Sequence, residues 1–222
     1  MKLFFRYLVF CVGLYFLALG IVFIVTSTLG TTPISSVNYV VSLNTPLTLG
    51  MATFGINMLL IGGQFWLTRG RRTRKDVLEI LLQIPFSFLF ALFIDVNMSM
   101  LKPLSPATYV GALVLLGIGC IVQAIGVTLE LKPRVTMMSA EAFVHYASER
   151  YHRPFGKLKV GFDLSLVTIA VILSLMFTGR IEGIREGSVI AAAVTGFIVT
   201  FLSRHVITGR NFRRLLHAGH IH

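Results

Sequence analysis

Asp163 is the residue whose type and setting most demand a chemical explanation. It stands inside an apolar run near residues 157–178. A carboxylate carried into a bilayer is costly and marks a solute path, a proton or ion site, or a buried pair. Lys159 lies one helical turn earlier, so a structural ion pair near the membrane surface is the competing assignment. Glu141 is the second candidate. It falls in a segment of helical pattern, residues 139–149, with Ser139 suited to an N-cap. The competing assignment is a solvated acid in a basic loop. Asp95 and Glu130 close apolar runs and read as markers of span ends. Gln64, Gln83 and Gln123 lie within apolar runs, where bonding between helices is the simplest role.

Other chemistry is missing. No Ser/His/Asp order suggests a nucleophile, and Gly156-Lys157 lacks the upstream Gly of a phosphate loop. His145 and His152 do not have the spacing of a zinc-protease helix, and His217, His220 and His222 read as a polar tail. Cys11 and Cys120 sit in apolar runs, which excludes a disulfide scaffold. The expectation is a non-enzyme with no catalytic residues, no metal and no cofactor.

The elements that position Asp163 and Glu141 follow from composition. Of 222 residues, 55% are hydrophobic and only 13% charged, with a mean hydropathy of +0.81. A soluble domain of this size has too little interior for that apolar surface. About 20 apolar residues cross a bilayer. Six segments qualify, at roughly 4–26, 49–68, 77–97, 107–128, 157–178 and 187–207. The first, behind Lys2 and Arg6, is too long for a signal peptide and lacks a small-residue cleavage site. Of 20 Lys and Arg, 17 fall at the N-terminus, after the second and fourth spans, and in the tail. That bias places both termini in the cytoplasm. It also gives the net charge of +11 a partner in anionic headgroups rather than nucleic acid.

The two halves repeat at an offset of 106. Gly13, Gly20, Gly50 and Gly55 meet Gly119, Gly126, Gly156 and Gly161, and Asn57 meets Asp163. Eight glycines lie in residues 13–95, and four of them land on glycine without a gap. Chance at the chain's own glycine frequency gives fewer than one. Three spans per half is odd, so the second copy enters from the opposite face, as in many secondary transporters. Between the first two spans, Gly30-Thr31-Thr32-Pro33 suggests a break before a short helix carrying Ser35, the counterpart of Glu141. The expected fold is an all-α polytopic membrane protein with six transmembrane helices. These form two inverted-topology three-helix repeats, about 4–100 and 107–207, each with a short re-entrant or interfacial helix. Residues 208–222 form a cytoplasmic tail. The expected solute or ion site combines Asp163, Glu141, Asn57 and Ser35.

Four motifs resemble a known family. Gly30-Thr-Thr-Pro33, Val135-Thr-Met-Met-Ser-Ala-Glu141, Phe155-Gly-Lys-Leu-Lys-Val-Gly-Phe-Asp163 and Gly179-Arg-Ile-Glu-Gly-Ile-Arg-Glu-Gly187 are similar to the YczE/YyaS/YitT family of bacterial integral membrane proteins. The likeness runs from about residue 6 to 207. It implies a multi-pass protein of the bacterial inner membrane and names no substrate. The leading functional expectation is a secondary-transporter-like permease for a small solute. The alternatives are a substrate-binding subunit of a larger importer, which needs a small-residue docking stripe on the first helix, and a non-transporting accessory or assembly protein. The expected partners are the bilayer and the solute, with oligomeric state left open.

Overall fold

The computed structural model describes residues 2–202, apart from 72, 105 and 134. Among these the chain forms eight helices: α1 (Lys2–Thr26), α2 (Pro33–Asn44), α3 (Leu49–Leu67), α4 (Arg74–Leu101), α5 (Tyr109–Leu131), α6 (Ser139–Tyr151), α7 (Phe155–Thr178) and α8 (Glu186–Phe201). Over the described residues each predicted apolar segment falls on a helix, and both predicted short helices form. The tail and its three histidines lie outside the described residues. By length and composition α1 (from Phe4), α4, α5 and α7 can cross a membrane. α3 has 19 residues but carries Asn57 and Gln64, which lower its apolarity. α8 is apolar and described over 16 residues.

Local signals account for the helix ends. Pro33 occupies the first turn of α2 behind the extended Thr32, where its missing N–H costs nothing. Thr48 caps α3 by accepting from the Met51 N–H. Thr73 and Asp76 close a reciprocal capping box on α4. Gly179 ends α7 in the left-handed region at φ 67°. The expected cap of α6 is corrected: Met138 holds the cap position and Ser139 is the first helical residue. Ser139 Oγ instead donates to Asn57 Oδ1 at 2.6 Å, so tertiary bonding takes the hydroxyl that a local cap would use.

α1 is apolar on every face, which suits a helix enclosed by others. Phe10, Leu14, Ala18, Val22 and Ile24 are all fully buried. Its main neighbour is α5, and the two run antiparallel with their backbones in close approach. A Cβ at Gly13 would lie 2.7 Å from Glu130 N, and one at Gly119 would lie 2.7 Å from Ile24 Cγ1. A Cβ at Gly20 would lie 2.6 Å from Gln123 Cα, and one at Gly126 would lie 2.7 Å from Leu17 Cα. These contacts come in exchanged pairs. Shifting Gly13 forward by 106 and Glu130 back by 106 gives Gly119 and Ile24; the same shift turns Gly20 and Gln123 into Gly126 and Leu17.

The remaining packing follows the same exchange. α4 packs on α1 as α8 packs on α5, α2 packs on α7 as α6 packs on α3, and α2 meets α3 as α6 meets α7. The starts of α2 and α6, and of α3 and α7, are each 106 residues apart. The contact between α3 and α4 departs most from the pattern. α3 is fastened to α4 through Asp95, which accepts from Gly50 N at 2.8 Å and from Thr48 Oγ1 at 2.6 Å. Asp95 thus anchors the start of a helix. Its positional counterpart is Phe201, and α7 and α8 barely touch among the described residues.

Candidate functional site

The gap left beside α7 and α8 opens into a cavity of about 400 Å³ to which all eight helices contribute. Nine pairs of its lining residues are related by the offset of 106. They include Leu17 with Gln123, Ser35 with Glu141, Thr53 with Lys159, Asn57 with Asp163 and Phe90 with Gly196. The cavity therefore sits where the two halves exchange. In four of these five pairs the second-half member is charged or more polar. In the fifth, Gly196 leaves room where Phe90 fills it. Gly196 and Ala192 both line the cavity, and a Cβ at Gly196 would meet nothing within 4 Å.

All four candidate residues line this cavity. Asp163 Oδ1 accepts from Lys159 Nζ at 2.6 Å, the ion pair weighed from the sequence, and both side chains remain about a quarter exposed at 28% and 24%. Asn57 is fixed by Ser139, and its Nδ2 has no partner. Ser35 Oγ accepts from Thr32 Oγ1 at 3.0 Å. Glu141 is in the first turn of α6, where its charge complements the helix dipole. Burial pushes its carboxyl above the ordinary value; the Lys159 ammonium pulls it down and Asp163 adds to the rise.

Three further residues belong to the cavity. Glu130 is 3% exposed, and its Oε1 has no partner. Gln123 and Asn38 each leave an oxygen unpartnered as well. Sequence placed Glu130 at a span end and Gln123 between helices. Close packing of α1 on α5 turns both inward, a consequence visible only in the Gly13 and Gly20 contacts. Gln64 and Gln83 do bond between helices, in a reciprocal pair at 2.8 and 2.9 Å, with Gln64 Nε2 also donating to Ser139 O.

Glu141→Gln gives a pH-resolved check on this geometry. The folded chain holds the Glu141 proton more tightly than the unfolded chain does. Its contribution to stability is therefore whole below about pH 4.5, the ordinary value, and is lost as the pH rises through the folded value. Thermal unfolding should show the variant more stable than the parent near neutrality, with the difference vanishing in acid.

The fold and the cavity define an all-helical multi-pass membrane protein with a largely apolar chamber, set with a few charged and polar groups, between its halves. The chain belongs to a family of unknown function, DUF6198, whose profile matches residues 4–204. No curated protein and no solved structure matches it.

Proposed function

We propose that this protein is a secondary-transporter-like permease that moves a small solute through the cavity between its halves. In this reading six helices, α1, α3, α4, α5, α7 and α8, cross the bacterial inner membrane with both termini cytoplasmic. α2 and α6 are the re-entrant elements of two inverted repeats, and the chain is of the YczE/YyaS/YitT kind that its motifs resemble. The protein is not an enzyme and needs no cofactor.

The single observation that carries the reading is the lining of the cavity by nine pairs of equivalent residues. The antiparallel α1–α5 pair supports it: a two-fold that exchanges antiparallel helices runs perpendicular to them, and for spanning helices it lies in the membrane plane. Transporters of this design bind solute at such an interface, among broken or short helices. The importer-subunit alternative needs small residues free on α1. Gly13, Ala18 and Gly20 are instead buried, with the two glycines against α5.

The test is counterflow in proteoliposomes. The purified full chain is first screened by thermal unfolding against a metabolite panel, and each stabilising compound is then offered in labelled form. Exchange of a stabilising compound across the vesicle supports the permease. A panel that yields specific stabilisers, none of which crosses, contradicts it and favours a capture or accessory role.

A further inference from the structure

We infer that the cavity takes a small organic cation, an ammonium or guanidinium head on an apolar body; this rests on the permease reading above. Among the described residues the charged groups lining the cavity are Glu130, Glu141, Asp163 and Lys159. Lys159 is committed to Asp163 at 2.6 Å. Counted with every carboxyl ionised, the formal balance of the lining is negative, three carboxylates against one ammonium, in a chain whose net charge is +11. Acids gathered in one place are not by themselves a site, and a second observation gives these a direction. Among the unpartnered side-chain atoms at the cavity, beside the donor Asn57 Nδ2 and the Thr195 hydroxyl, acceptors are in excess: Glu130 Oε1, Gln123 Oε1 and Asn38 Oδ1. Their residues are only 3%, 8% and 2% exposed.

The Asn38 orientation is fixed by its neighbours. Thr53 Oγ1 gives its only proton to Leu49 O at 2.7 Å, so it must accept from Asn38 Nδ2 at 3.1 Å. The Asn38 oxygen is then left for the cavity. A buried acceptor without a donor is costly, so the matching solute must bring donors. A carboxylate solute would add acceptors beside like charges. A neutral alcohol would bring a donor and leave the charge imbalance standing. An ammonium brings three donors, no acceptor and the compensating charge. The rest of the wall includes Ile21, Ile34, Phe90 and Val127, which suits a carbon skeleton. A volume of about 400 Å³ is also far larger than a bare inorganic ion requires.

The experiment is thermal unfolding of the detergent-purified full chain with hexylamine, benzylamine, hexanoate and hexanol, on the parent and on Glu130→Gln and Gln123→Leu. The amines should stabilise the parent saturably, and hexanoate and hexanol should not. Half-saturation should weaken at least roughly tenfold in Glu130→Gln. If that variant does not fold, weakened amine binding in Gln123→Leu carries the same test. Equal stabilisation by hexanoate or hexanol, no stabilisation by either amine, or amine binding unchanged in the variants overturns the inference. Labelled uptake separates it from the reading beneath it. Transport of an anion or neutral solute alone leaves the permease standing and removes the cation. Saturable amine binding without passage does the reverse.

Discussion

Gly126→Val is expected to abolish accumulation of folded protein, and Gly20→Val to do the same. At each position the new Cβ would fall inside van der Waals distance of backbone atoms on the facing helix: Leu17 for Gly126, Gln123 for Gly20. A clash with the far end of a side chain can be relieved by rotation, but a clash with backbone cannot. α1 and α5 would have to separate along their main contact. Ordinary overpacking costs about 1–3 kcal/mol. Parting two backbones forfeits the packing on both sides of the gap and exceeds that range, a large share of a typical stability. Gly117→Val supplies the control. It lies on the same helix, and a Cβ there would meet nothing within 4 Å, so it should fold normally. Fluorescence-detected size-exclusion of the variants reads the result. Monodisperse protein from Gly20→Val and Gly126→Val would contradict the packing described.

Asp163→Asn is expected to abolish transport while leaving a folded protein. The carboxylate contributes charge to a cavity wall, and Asn57, its counterpart in the other half, shows that an amide fits the equivalent backbone position. Removing the charge leaves Lys159 without the partner it holds at 2.6 Å. Breaking one side of such a pair costs stability by itself, most severely when the pair is fully buried. At 28% and 24% exposure this pair is only partly buried, so the cost should fall short of unfolding. The double variant Asp163→Asn with Lys159→Gln separates the two roles. It should recover any lost thermal stability and still fail in the counterflow assay. If the double variant transports like the parent, Asp163 serves only to balance Lys159. If Asp163→Asn alone transports like the parent, Asp163 has no part in the solute path and the site assignment fails.

Much of this architecture was legible in the chain because repeats and helix breaks are local signals. The offset of 106 needed only glycine spacing, and Pro33 marked a helix start by itself. Asp163 stood out because a charge among apolar neighbours is conspicuous. Glu130 did not, because a carboxylate at the end of an apolar run has a ready explanation. Only the approach of α5 to α1 at Gly13 decides that it faces inward. Ser139 shows the same limit in reverse. Its sequence context suggests a cap, and the partner that claims its hydroxyl, Asn57, is 82 residues away. The opening between α7 and α8 was hidden as well. Nothing in the register of the repeat says that α3 packs on α4 while α7 and α8 barely touch among the described residues.

The account turns on a solute chamber between two halves that enter the membrane in opposite senses. Sided cysteine labelling measures that sense directly. In a background lacking Cys11 and Cys120, single cysteines are placed after α2 at Leu47, at the end of α4 at Ser99, before α4 at Arg71, and after α6 at Arg153. All four positions are exposed, and Arg71 is used in place of Thr73 because Thr73 caps α4. Inverted halves predict that an impermeant thiol reagent added to intact cells labels positions 47 and 99 only. Positions 71 and 153 should react only after permeabilisation. Labelling of 47 and 153 from the same side would place α2 and α6 on one face, and would contradict the inverted arrangement on which the chamber depends.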